Sequence, residues 1–425
     1  MSPFNSIFAL SSLGIVLGIL LLIQRSSVLV PVQVKYVTIE GLRGYLAFFV
    51  FLHHATFWYV YLHTGKWAVP DSDLYIQLGK ISVVVFFMIT GFLFFLKLSE
   101  SREKPIHWPA FFVSRFFRLA PLYVFTMLVM IGIVAVRSDF TLRESPSLIA
   151  TEIIQWLGFS IYGIPNINGV ENTFLITAGV TWSLVYEWLF YFSLPLIGIV
   201  FYRTRVNPVL FFILLGIVVS IFYNNLIFNY YLLTFLAGGL AVYLIRIPRL
   251  VALASSQPAS FVILGCLTLL VYPFKGNDSM EIVCTTIVFT SIAAGNSLWG
   301  ILKATTSRLL GQVTYSIYLL HGIVLYTVFM FVIGEEKAQQ LGVIEFWLVV
   351  IGASILLIAV SFLSYRYIEQ PGTRVAAKIN GRFFLSAKMA SLRMYNFTEK
   401  KNTFFEKIIH GLRRISPGIS FLFLV

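Results

Sequence analysis

The chain has 425 residues, of which 58% are apolar, 16% aromatic and only 12% charged, with a mean hydropathy of +0.87. Ordinary soluble domains are about 45–50% apolar and about 25% charged, so a soluble multidomain enzyme is excluded; disorder, which requires low hydrophobicity, is excluded too. The net charge of +13 would suggest nucleic acid on a soluble protein, but on a chain this apolar it indicates Lys and Arg held on the cytoplasmic face of a membrane, with no nucleic-acid partner.

Crossing about 30 Å of hydrocarbon takes about 20 apolar residues in a helix. Eleven such segments are predicted, at about 5–23, 44–62, 80–98, 119–136, 181–201, 208–223, 229–246, 259–274, 280–298, 312–333 and 345–367. The fold class is therefore an all-α polytopic integral membrane protein. The first segment starts MSPFNS, without a basic region, and no small-residue cleavage site follows LLIQRSS, so it reads as a retained helix rather than a signal peptide. The connections alternate in charge: 25 of the 31 Lys and Arg fall on one set and 6 on the other. That bias predicts eleven spans with the N-terminus outside and the C-terminus inside. The long external connection 137–180 contains the amphipathic run LIATEIIQWLGFSIYG, which can lie on the membrane or re-enter it. From about 372 to 425 the chain is basic and Phe-rich, and FFEKIIHGLRR reads as an interfacial helix on an anionic leaflet. Cys266 and Cys284 lie inside apolar stretches and define neither a disulfide framework nor a metal site.

Polar groups at membrane depth are costly and mark candidate sites. On the second span, Arg43 and His54 are eleven residues apart, close to three helical turns, so they share one stripe about 16 Å apart along the axis. His53 points about 100° away from His54. An imidazole at mid-membrane can take a proton from a hydroxyl; it can equally be bonded to a neighbouring helix while Arg43 snorkels to headgroups. Glu187, in TWSLVYEWLFYF, must be protonated, paired or facing water; it can orient an imidazolium, position a substrate hydroxyl, or form a structural pair. His321, in TYSIYLLHG, lies at a depth similar to His54, as a second proton carrier or a packed side chain. Arg115 and Arg118, in FFVSRFFRLAP, share one helix face at the cytoplasmic surface. They suit the phosphates of a nucleotide-bearing acyl donor, or anchor the helix. There is no nucleophile elbow, zinc-protease motif, Walker loop or dinucleotide fingerprint.

Taken together these segments resemble the membrane acyltransferase 3 family, which O-acylates cell-surface glycans. IEGLRGYLAFFVFLHH carries the family's arginine-to-histidine spacing, VVVFFMITGFLF is similar to its second core helix, and RFFRLAPLY to its basic cytoplasmic motif. TWSLVYEWLFY, TYSIYLLHG and YRYIEQPG follow in the family's order. The resemblance covers about residues 36–372. It implies a ten-helix core with both ends in the cytosol, preceded here by an extra helix in residues 1–35 and followed by the basic tail 373–425. It also implies acyl-CoA, usually acetyl-CoA, as donor, no metal, and a hydroxyl of a glycan or lipid-linked sugar as acceptor. His54 and Arg43 correspond to the family's essential pair, and Arg115 and Arg118 to its donor-binding motif. Glu187 or His321 would orient the imidazole or the acceptor. The extracytoplasmic esterase-like domain of some members is missing. The implied location is the bacterial inner membrane, with the bilayer, acyl-CoA and the acceptor as partners. A competing reading is a transporter or flippase of a glycan or lipid-linked substrate, in which the buried His and Glu form a proton path. Paired discontinuous helices would favour it; the sequence has none.

Overall fold

The computed structural model describes residues 2–25, 33–101, 106–203, 228–272 and 278–381. The expected span 208–223 and most of the basic tail lie outside the described residues. Fourteen α-helices are described: α1 (Ser6–Arg25), α2 (Val37–Thr64), α3 (Asp73–Glu100), α4 (Trp108–Arg137), α5 (Pro146–Leu157), α6 (Trp182–Arg203), α7 (Phe228–Leu244), α8 (Pro248–Ala254), α9 (Gln257–Val271), α10 (Asp278–Ala293), α11 (Thr305–Gln312), α12 (Thr314–Thr327), α13 (Glu335–Gln339) and α14 (Val343–Ser364), with residues 370–381 continuing in helix after a π-turn at Tyr365–Glu369. Among the described residues no strand forms. Seven helices are long and apolar enough to cross a membrane, and the pair α7 and α8, bent by 111°, allows an eighth. Leu10, Leu22, Leu128, Val332, Ile344, Leu348 and Leu363 are exposed. So much apolar surface requires hydrocarbon around it, and the chain is an all-α, multi-pass integral membrane protein.

Several expected spans are found with changed limits. The segment 312–333 is broken at Val313, where α11 ends and α12 begins. It continues into a π-turn at Val328–Gly334. The segment 229–246 stops at Leu244, because Pro248 starts a new helix at its first turn, where a missing N–H does no harm.

The described chain divides into two compact units. The first comprises residues 1–106 and 120–369, and the second 107–119 with the chain from 370 onward. In the second unit Asn380 donates to the Ala110 carbonyl at 3.0 Å.

Within the first unit the helices alternate in direction. One end gathers the N-terminus, the α2–α3 turn and the connections before α6 and α14. There Tyr75 donates to the Asn5 carbonyl, His63 pairs with the Leu341 carbonyl, and Arg137 meets Glu335. We call this the loop end. At the opposite end Lys35 meets Glu100, Arg246 donates to Ser99, and Tyr45 pairs with Ser307. Among the described residues of the first unit, connections that the charge count separates thus lie at different ends.

Close backbone approach holds the helices together. A Cβ on Gly91 would lie 2.0 Å from the Phe235 carbonyl oxygen, and one on Gly238 would lie 1.9 Å from that of Met88. Each glycine admits the other helix's backbone, so α3 and α7 cross in contact, as packing in lipid requires where no hydrophobic effect drives helices together. Beside them Lys80 binds Glu281 at 2.7 Å and Asp278 at 2.9 Å, and Tyr230 donates to Glu281 at 2.6 Å. Glu281 is fully buried, so this cluster ties α3, α7 and α10 through a charge that has left water.

The long connection 138–181 folds into a cap. Ser145 caps α5, its Oγ accepting from the Leu148 N–H, with Pro146 in the first turn. Asn168 accepts from the Arg143 N–H and donates to the Thr141 carbonyl, while Glu152 accepts from the Asn168 N–H. The first part of the amphipathic run lies in α5, half of whose residues are exposed. The segment that enters the core is instead a 3-10 turn, Thr173–Thr177, with Thr173, Leu175, Ile176 and Thr177 buried. It abuts α12: a Cβ on Gly322 would lie 2.3 Å from the Thr177 carbonyl carbon.

Candidate active site at a pair of histidines

α2 places His54 about 25 Å from its first residue and about 15 Å before Thr64, near the middle of the hydrocarbon depth. α12 brings His321 against it: His54 Nδ1 and His321 Nε2 are 3.1 Å apart, with ring centroids at 5.0 Å. His321 is fully buried and His54 half-buried. His53 turns the other way, its Nδ1 2.8 Å from the Tyr75 carbonyl oxygen on α3. It packs so closely that a Cβ on Gly79 would touch its ring at 2.4 Å. The neighbouring histidines therefore have different jobs, as their angular separation on the helix predicts.

The surrounding carbonyls assign the protons. His321 Nδ1 lies 3.1 Å from the Ile317 carbonyl oxygen and His54 Nδ1 3.0 Å from that of Val50. An oxygen at this distance requires N–H on each Nδ1, because the other tautomers would set ring lone pairs against carbonyl lone pairs. His321 then presents an unprotonated Nε2. The His54 Nδ1–H is shared between that nitrogen and Val50. His54 Nε2 is left with its lone pair and no hydrogen-bond partner among the described residues. The pair thus fixes one imidazole in the tautomer of a base or nucleophile.

A scan against family models matches the acyltransferase domain of the acyltransferase 3 family over residues 36–366. The chain belongs to this family. The protein is accordingly an acyltransferase, and transport without covalent chemistry does not describe it. No curated protein and no solved structure is matched. The matched region begins just before α2, so α1 lies outside it.

The acyltransferase does not assemble all its sequence-predicted residues at the histidines. Arg43, on the stripe below His54, forms an ion pair with Glu40 at 3.0 Å, both side chains 19% exposed. Glu187 accepts a hydrogen bond from Tyr191, one turn further along α6. Its electrostatic neighbours are Tyr315 and Tyr318 on α12, one to two turns before His321. Nearby, Ser316 donates to buried Glu369, and Ser364 donates to Ser316 at 2.8 Å. Glu187 therefore belongs to a polar layer between the imidazoles and the end opposite the loop end. Arg115 and Arg118 lie near the start of α4, both half-buried, in the second unit. Among the described residues no group of three or more His, Cys, Asp or Glu converges to hold a metal ion.

Two contributors escape a reading of the sequence. The first is Trp67, between α2 and α3. Gly65 ends α2 in the left-handed region at φ 69°, which glycine adopts without strain. The chain then folds back instead of leaving the helix. The Trp67 ring lies 6.3 Å from that of His54, at 17° to it, and 5.3 Å from Phe57. The second is the 3-10 turn, whose Phe174 ring stands 6.4 Å from Trp67. The only local signals are a lone Trp in the polar stretch TGKWAVPDSD and the apolar triplet in ENTFLITAG. Neither spacing indicates a return into the core.

Proposed function

We propose that the acyltransferase moves an acyl group, most simply acetyl, from acyl-CoA to a hydroxyl of a cell-surface polysaccharide or lipopolysaccharide sugar. In this reading it sits in a bacterial inner membrane with the loop end outside and the C-terminus in the cytoplasm. The observation that carries the reading is His54 Nε2, a base without a hydrogen-bond partner among the described residues, held inside α2 about 25 Å from one end and about 15 Å from the other. Donor and acceptor can then meet at one nitrogen from opposite sides of the membrane.

In the proposed step, the acceptor hydroxyl gives its proton to His54 Nε2 and its oxygen attacks the thioester carbonyl. The ester C–O bond forms as the C–S bond breaks, and the CoA thiolate leaves with the proton returned by the imidazolium. The same lone pair can attack the thioester first, leaving the acyl group on Nε2 until the sugar oxygen takes it. His321 is a positioning residue: it accepts from His54 Nδ1 and supports the charge that forms on His54. Arg115 and Arg118 are assigned to the CoA phosphates, where paired guanidinium forks make charge-assisted contacts. Arg43 is neutralised by Glu40.

The test compares neighbouring substitutions. His54→Ala should reduce acyl transfer by about 10²–10⁴-fold at unchanged yield, the range for loss of a general base. His53→Ala should affect yield and melting temperature more than turnover per purified molecule, because His53 bonds α3. Transfer is measured with labelled acetyl-CoA and glycan from cells lacking the gene. Full activity of His54→Ala, or equal loss in both variants at equal yield, removes His54 from the reaction.

A further inference from the structure

We infer that Trp67 forms an aromatic stacking floor for one pyranose ring of the acceptor, beside His54. The inference rests on the acyl-transfer reading above and adds to it the residue that holds the sugar. Three observations carry it.

The first is placement. His54 lies about 15 Å along α2 from Thr64, yet Trp67, three residues beyond that end, brings its ring to 6.3 Å from the imidazole. The connection is built to carry an indole inward. The planes are near parallel, at 17°, so indole and imidazole form an offset stack. A sugar ring on the half-exposed indole would then lie next to the imidazole.

The second is exposure. Trp58 and Trp347 are packing residues, 0% and 1% exposed. Trp67 is half-buried, as are its neighbours Phe57 and Phe174. A half-open indole beside a nitrogen without a partner is a surface awaiting a ligand rather than a finished piece of core.

The third is chemistry. The lining beside the base is aromatic rather than aliphatic. It lies below the loop end, where Glu171 and Asn172, just before the turn that carries Phe174, are exposed. The C–H face of a pyranose meets aromatic π-faces, and its hydroxyls need polar partners at the rim; this surface supplies both. A long alkyl chain would find a charged rim and few aliphatic contacts.

The experiment measures initial rates with purified protein in nanodiscs, varying labelled acetyl-CoA and glycan isolated from cells lacking the gene. For Trp67→Ala the acceptor KM should rise about tenfold, equivalent to about 1.4 kcal/mol, with the donor KM changed less than about twofold, well inside that margin. Trp67→Phe should recover much of the loss. Trp67→Leu, which keeps apolar bulk without a π-face, should not. Equal acceptor KM for wild type and Trp67→Ala, or full recovery by Leu, overturns the stacking role. Transfer by wild type with no effect of Trp67 removes only this inference, whereas no transfer by wild type removes the parent reading as well. Misfolding is separated by melting temperature: a variant that melts early but keeps the acceptor KM also counts against the inference.

Discussion

Gly322→Ala probes the joint between the cap and α12, the helix that carries His321. The added Cβ would lie 2.3 Å from the Thr177 carbonyl carbon, 2.5 Å from its oxygen and 2.6 Å from the Ala178 nitrogen. All three atoms are backbone, so no side chain can swing aside. Ordinary contact begins near 3.4 Å, so α12 and the 3-10 turn must separate by about 1 Å, and overpacking of this kind costs about 1–3 kcal/mol. His321 is the preceding residue, and Phe174 lies on the turn that moves. A shift of about 1 Å in a positioning element can cost about 10²-fold in rate. The assay is melting temperature in detergent together with kcat/KM per purified molecule. Gly352→Ala is the matched control: it lies within α14 with nothing within 4 Å of its Cβ. There alanine should stabilise by about 0.5–1 kcal/mol through helix propensity alone. If Gly322→Ala melts and turns over like wild type, the close approach of Thr177 is not what seats His321.

Three further outcomes follow from the same geometry. Arg115→Ala and Arg118→Ala should each raise the donor KM by the equivalent of about 1.5–3 kcal/mol, the range for a hydrogen bond to a charged group. Lysine should restore only part of it, and an unchanged KM with reduced yield would make them anchors. Lys80→Met should destabilise by about 3 kcal/mol because Glu281 is left buried without its cation; adding Glu281→Gln, which keeps a partner for Tyr230, should recover most of it in thermal melts. Burial, the largest influence, raises the Glu152 carboxyl above its ordinary value, with Glu144 adding to the shift and the Asn168 N–H opposing it. The folded chain therefore holds this proton to higher pH than the unfolded chain, and the stability tied to it is lost as pH rises through the raised value. Glu152→Gln should flatten the pH dependence of melting there; an unchanged profile would refute the shift.

Much of the scaffold was legible because lipid imposes a simple code. Hydropathy located the helices from Ser6–Arg25 to Val343–Ser364, and the basic residues sorted the connections into the two groups found at opposite ends. Helical periodicity separated His53 from His54. What stayed hidden depended on distant partners. His321 is 267 positions from His54, and only their juxtaposition fixes which nitrogen carries a proton. Glu187 looked equally buried, yet the helix packing sets it beside Tyr191. The Glu40–Arg43 pair was written in IEGLR at a three-residue spacing, and that signal was overlooked. Trp67 and Thr173–Thr177 return inward through left-handed backbone at Gly65 and Asn172, which hydropathy does not register.

The contacts of α1 bear on the order in which this membrane protein is completed. Trp347 donates to the Pro3 carbonyl at 2.8 Å and stacks on Phe8 at 5.1 Å, while Tyr75 donates to the Asn5 carbonyl. The segment leading into α1 thus docks on a residue 344 positions further along the chain. Until α14 is inserted, α1 lacks its indole partner and the loop end stands open. Its arrival joins α1 to α14. Assembly of the loop end is therefore a late event in biogenesis, and a chain arrested before Trp347 would carry His54 and His321 in an unclosed bundle.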